Sequence, residues 1–414
     1  MLVKRRARAP PLRAIYRSGT VRHALMADDA TGALAHEQSV ETGAHTAVAP
    51  ALAAFSFAHV VLSLAAARQK LSVWDPEIWV YGDSDHYLSI AERGYEFFSC
   101  ARVPGYDPKL WCGNTGWFPL YPLTVSPLLH LGVRPAIAGF LTSAVFVVAA
   151  LMLLWNVFLA ECAPPKRWLV LLIAAFFPGQ VYLHAVFPMG LFALLVLLSV
   201  HWLTRERWQL AGLGFALAAA TYPAGILAAA AGALWVFADR QRGWPERFAR
   251  ATWYAGAGLA GFAIVCLALQ LMTGHWDAFF RVHDKYSHDL RNPIEALQPV
   301  IEGAWSYIRE PHLPLVPPVQ TVVLTVLLLS AGLAPLLQRK RLQAAERFLL
   351  LFAAVYWAFP LIAGDMTSVR AEATLLPAVV LGRNLPLPGL LALLLILMPV
   401  AYLVGQLFFA GLLS

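Results

Sequence analysis

Residues 136–160 read Ala-Ile-Ala-Gly-Phe-Leu-Thr-Ser-Ala-Val-Phe-Val-Val-Ala-Ala-Leu-Met-Leu-Leu-Trp-Asn-Val-Phe-Leu-Ala, with no charged side chain. As a helix this run rises about 37 Å, more than the roughly 30 Å of a bilayer's hydrocarbon core. Backbone groups in lipid must be bonded within their own segment, so the run predicts a transmembrane helix. Working outward, comparable apolar runs occupy 49–69, 168–187, 189–203, 208–222, 224–238, 251–273, 316–337, 346–364, 372–385 and 388–411. Pro188 and Gly190 separate one pair of short runs, and Pro223 and Gly225 another. The composition agrees, at 59% hydrophobic and 13% charged residues; soluble domains carry about 25% charged residues. The alternation of a transmembrane β-barrel is missing. The expectation is an all-α, polytopic membrane protein of about eleven spans. A single membrane domain over 48–414 would follow a basic, disordered cytoplasmic tail at 1–47.

The segment Trp117-Phe-Pro-Leu-Tyr-Pro-Leu-Thr-Val-Ser-Pro127 is apolar but short and holds three prolines within its first eleven residues. If it does not cross, one face collects the tail (Lys4, Arg5, Arg6, Arg8, Arg13, Arg17, Arg22), Lys166/Arg167, Arg205/Arg207 and Arg240/Arg242/Arg247/Arg250. Arg339/Lys340/Arg341/Arg347 and Arg383 join them. That bias marks the cytoplasmic face. The N-terminus is then cytoplasmic, and the C-terminus lies outside. Loops 70–135, 274–315 and 365–371 fall on the outer face and form the expected working surface. The first two hold Asp75, Glu77, Asp83, Asp85, Glu92, Glu96, Asp107, Asp277, Asp284, Asp289, Glu295, Glu302 and Glu310. The net charge of +7 is thus read as orientation, with no nucleic-acid partner. There is no cleavable signal pattern, and either Met1 or Met26 is a possible start.

Chemistry concentrates in Gly82-Asp-Ser-Asp-His-Tyr-Leu-Ser-Ile-Ala-Glu-Arg-Gly-Tyr95. Asp83 or Ser84 can cap a helix whose apolar side is Tyr87, Leu88, Ile90 and Ala91, and Gly94 can end it. Such a helix would lie on the membrane surface. Read alone, Asp83 is a helix cap more often than a base. Asp85 is spaced to suggest a metal with Asp83, but flanking ligands are missing, so no metal is expected. Cys100 and Cys112 share the first outer loop, where a disulfide and two free thiols are both open readings. Cys162 and Cys266 read as ordinary buried thiols.

Asp83-Ser-x-His-Tyr-Leu-x-Ile-Ala-x-x-Gly-Tyr95 followed by Phe118-Pro-Leu-Tyr-Pro122 resembles the PIG-V family, mannosyltransferases of the GT-C class that include the enzyme adding the second mannose of the GPI anchor. Leu191–Leu198, Ala211-Gly-Leu, Ala219–Gly225, Gly274-His-Trp-Asp-Ala-Phe-Phe280 and Ser368–Pro377 extend the resemblance over roughly 50–385. The chain departs from the family at Gly82, Phe187–Gly190, Tyr222-Pro-Ala-Gly225 and Arg370-Ala371.

The resemblance implies glycosyl transfer outside the cytoplasm from a polyprenyl-phosphate sugar, with mannose or another hexose passing to a lipid- or protein-linked acceptor. No bound cofactor is implied. Asp83 would be the general base. Arg370 would hold the donor phosphate, and Arg281, His283 and Lys285 are second choices. Asp85, His86, Tyr87, Tyr121 and His184 complete the candidate substrate-binding residues, with His86 and His184 also readable as wall or core. Direct displacement would invert the anomeric centre. Two rivals stand: a catalytically silent relative that binds lipid-linked sugars, and a transporter of lipid-linked substrates. The transporter would need polar residues along its spans, and they are scarce.

Overall fold

In the computed structural model, the residues described are 47–285, 292–339, 341–363 and 369–413. The expected tail up to residue 46, Asp289, Lys340 and residues 365–368 of the third outer loop lie outside them. All that is described belongs to one unit, Ala47–Ser414.

Among the described residues, five helices are long and apolar enough to cross a membrane. These are α1 (Ala47–Arg68), α4 (Pro135–Leu153, extended by a π-helical turn to Phe158), α10 (Trp244–Thr273), α13 (Val316–Leu337, entered from Leu313) and α16 (Leu387–Phe409). Strand structure in the described residues amounts to one hairpin. The protein is therefore an all-α, multi-pass membrane protein. Between the long helices pack α7 (Met189–Thr204), α8 (Trp208–Thr221) and α9 (Ala224–Phe237), apolar but shorter. At 1.5 Å per residue each rises only about 21–24 Å. α14 (Ala344–Ala363) packs beside α9.

Two runs expected as single spans are broken. Residues 168–187 divide into α5 (Pro164–Ala175) and the one-turn α6 (Val181–His184). Pro178 cannot donate to a helix, and Gly179 takes φ +77°. Residues 372–385 divide between α15 (Val369–Ala373) and a 3-10 segment, Leu376–Asn384, whose Leu376–Gly382 are buried. Apolarity marks burial here, whether or not the chain spans lipid. The turn before α6 meets α15 at Gly179, where an added Cβ would press on Val369 O and come within 2.9 Å of Ala373 N. Gly179→Ala should destabilise the protein by about 3 kcal/mol, combining left-handed strain with overpacking. Thermal unfolding in detergent reads this; an unchanged melting temperature would mean that α6 and α15 separate without penalty.

The expected first outer loop is ordered. Its α2 (Ser84–Arg93) buries Tyr87, Leu88, Ile90 and Ala91, and Gly94 ends it at φ +84° with its N–H on Ile90 O. β1 (Phe97–Ser99) and β2 (Trp111–Gly113) pair antiparallel, Phe98 opposite Cys112. A Cys100–Cys112 disulfide closes the hairpin. Closing a loop this short removes about 3 kcal/mol of chain entropy from the open form. Reduction, or Cys100→Ser with Cys112→Ser, should therefore speed proteolysis between Phe97 and Gly113 severalfold. Unchanged cleavage would show the hairpin held by its side chains alone. α3 (Leu120–His130) rises only about 16 Å, too little to cross.

Candidate active site

Asp83 occupies the cap position of α2, yet its carboxylate makes no capping hydrogen bond. The cap reading is thus corrected: a guanidinium opposite outcompetes a local amide. Asp83 Oδ2 accepts from Arg370 Nη1, 287 residues further along the chain. The two side chains are 23% and 33% exposed. The pair joins the segment before α2 to α15.

Further contacts seat α15. Glu372 is buried and accepts from Gln320 Nε2 at 2.6 Å and from Thr321 Oγ1, which ties α15 to α13. Around the guanidinium stand Tyr222, Asp83, Tyr87 and Tyr182. Burial works to lower the pKa of Arg370, but these four groups together outweigh it and raise it. Arg370 is therefore a permanent cation beside phenols and one carboxylate.

Tyr87 is buried, with its ring edge-on to Tyr121 at 5.5 Å and to Phe187 at 5.9 Å. Burial, more than any neighbour, pushes its phenol pKa up, so it stays a neutral hydrogen-bonding group. Tyr182 sits edge-on to Phe187 at 4.8 Å and to Phe408 at 5.7 Å. Sequence reasoning missed Tyr182 and Tyr222. Tyr222 had a signal, as the aromatic residue in Tyr222-Pro-Ala-Gly225; Tyr182 had none, because the apolar run around it reads as core.

The other expected site residues divide between different surroundings. His86 stacks on Trp117 at 3.6 Å, within electrostatic reach of Asp83, Asp85 and Lys285. Burial is the largest influence on His86 and lowers its pKa, which favours the neutral imidazole. Asp85 is exposed. Lys285 lies 5.7 Å from the Tyr106 ring, and burial lowers its pKa. These groups form a flank on the solvent side of α2.

The expected second outer loop reaches this flank through α11 (Ala278–His283), where Thr115 Oγ1 donates to Ala278 O at 3.2 Å. His283 Nδ1 lies 2.9 Å from Phe279 O, and its ring packs closely over Gly116. Arg281 is bound to Asp277, with N–O distances of 2.7 and 2.8 Å, and lies near the Trp111 ring. An arginine so neutralised is a poorer phosphate ligand than its type suggests.

Tyr121 and His184 are spoken for within the core. Tyr121 Oη lies 3.1 Å from Gly139 O, to which it donates, and 2.7 Å from Ser143 Oγ; these bonds pin α3 to α4. His184 is buried, stacked on Phe55 at 4.3 Å with its Nδ1 3.4 Å from His59 Nδ1. Among the described residues, no group of three or more His, Cys, Asp or Glu could hold a metal ion. Two grooves elsewhere, between α8 and α10 and between α13 and α14, are lined mostly by apolar side chains.

The fold and this cluster define a class: a multi-pass α-helical membrane protein with a carboxylate–guanidinium pair set among tyrosines. Compared with known proteins, the chain matches no family and no curated relative.

Proposed function

We propose that this protein is an inverting membrane glycosyltransferase. It moves mannose, or another hexose, from a polyprenyl-phosphate sugar to a lipid- or protein-linked acceptor on the periplasmic face. The observation that carries this reading is the Asp83–Arg370 pair. It brings a carboxylate released from capping duty against a cation in a tyrosine-lined setting.

Arg370 holds the donor's phosphodiester through its forked donors, and the phenols of Tyr87, Tyr182 and Tyr222 add hydrogen bonds. As the phosphate takes Arg370, Asp83 is freed. Its carboxylate accepts the proton of the acceptor hydroxyl, and that oxygen attacks the anomeric carbon from the face opposite the phosphate. The carbon–oxygen bond to phosphate breaks, and Arg370 stabilises the departing polyprenyl phosphate. A β-linked donor yields an α-linked product. The Lys and Arg clusters expected on the cytoplasmic side support chemistry at the opposite end.

The test supplies labelled polyprenyl-phosphate mannose and a membrane-lipid extract to purified protein. Transfer by the wild type, lost in Asp83→Asn, is the expected result. Equal transfer by both removes Asp83 as base. No transfer with any polyprenyl-phosphate sugar turns the assignment toward a silent lipid-sugar-binding protein or a transporter.

A further inference from the structure

Two buried polar side chains, one next to Asp83 in the chain and one on the segment that packs against α15, have no partner among the described residues. Gln180 is 1% exposed, and neither its Nε2 nor its Oε1 makes a hydrogen bond. Ser84 is fully buried, and its Oγ is equally unpaired. A buried amide left unpaired is costly, and folded proteins rarely keep one without a use. Because both ends of the amide are unsatisfied, the choice between its two flipped orientations changes nothing.

Their positions tie both residues to the site. Ser84 directly follows Asp83. Gln180 directly follows Gly179, where an added Cβ would press on the backbone of Val369 and Ala373, the two ends of the helix that carries Arg370. Two residues later, Tyr182 stands within electrostatic reach of Arg370 and Asp83.

The chemistry of the vacant groups selects their ligand. A phosphodiester only accepts hydrogen bonds, so it could satisfy Gln180 Nε2 but not Oε1. A group that both donates and accepts satisfies both, and a serine hydroxyl has the same dual demand. Sugar hydroxyls have that character. We infer that Gln180, with Ser84, forms a subsite for the hydroxyls of the donor's sugar, while Arg370 takes the phosphate. This rests on the glycosyltransferase reading and adds to it the group that distinguishes a loaded carrier from a spent one.

The test compares binding of polyprenyl-phosphate mannose with binding of bare polyprenyl phosphate, using full-length protein in detergent. The wild type should prefer the mannosylated carrier about tenfold, as one satisfied buried amide implies. Gln180→Met, of similar volume, should erase that preference and leave bare-carrier affinity unchanged. The unliganded Gln180→Met protein should also melt at a higher temperature, because its unpaired amide is gone. That rise separates a functional loss from misfolding. Ser84→Ala should weaken the preference by a smaller factor. A preference that survives Gln180→Met overturns the subsite, as does a wild type that binds both carriers equally, the result expected if ordinary buried water satisfies the amide. Binding of neither carrier by the wild type overturns the glycosyltransferase reading itself, and the subsite with it.

Discussion

Asp83→Asn is expected to lower sugar transfer by about a hundredfold to ten-thousandfold, the range lost when a positioned general base is removed. The substitution preserves shape and keeps an oxygen that can accept from Arg370, so the fold should survive it. What disappears is the negative charge and the basic lone pair. The two consequences have opposite signs for the two steps of the reaction. The chemical step loses its proton acceptor, whereas Arg370 loses the carboxylate that engages it in the present arrangement. Binding of bare polyprenyl phosphate should therefore be unchanged or tighter while turnover collapses. Single-turnover transfer measured alongside carrier binding separates the two. Loss of binding together with loss of turnover would make Asp83 a structural residue.

The second large effect is expected at Arg370. Arg370→Met should reduce transfer about a hundredfold to a thousandfold, as for loss of one preorganised donor facing developing charge. Here carrier binding should weaken as well, the reverse of Asp83→Asn. Arg370→Lys should recover only part of the loss, because an ammonium keeps the charge but not the forked geometry. The cost in stability should be small, about 1 kcal/mol, since both partners are partly exposed and water screens an ion pair of this kind. A double variant, Asp83→Asn with Arg370→Met, supplies the coupling energy directly. Arg370→Met that binds carrier as well as wild type would move the phosphate site elsewhere on the protein.

Parts of this architecture were legible in the chain because they are local. Ser84–Arg93 has one apolar face and Gly94 at its end, and it forms that helix with that glycine at φ +84°. Elsewhere local reading misled. The run 168–187 is as apolar as a span, yet Pro178 and Gly179 divide it, since Gly179 packs against α15 and no apolar tally records a backbone contact. Residues 372–385 are apolar because they are buried inside the helix assembly, a burial that hydropathy cannot tell from immersion in lipid. By type Tyr121 reads as a site residue and His184 as core or site; in the fold Tyr121 Oη bonds Gly139 O and Ser143 Oγ, and His184 Nδ1 lies 3.4 Å from His59 Nδ1.

The sequence by itself determined that this is a multi-pass α-helical membrane protein. Apolar length and the demand for internal backbone hydrogen bonds are properties of each segment taken alone. The run at 136–160 needs no partner to declare itself. Only the tertiary structure decided what Asp83 does. At the head of a helix a carboxylate would ordinarily bond the amides of its own first turn. Here a guanidinium 287 residues away offers a charged donor instead, and the side chain turns to it. The same folding left Gln180 sealed without a partner among the described residues. Neither outcome is encoded within a few residues of Asp83 or Gln180, because each depends on which distant backbone and side chains fill the space beside them.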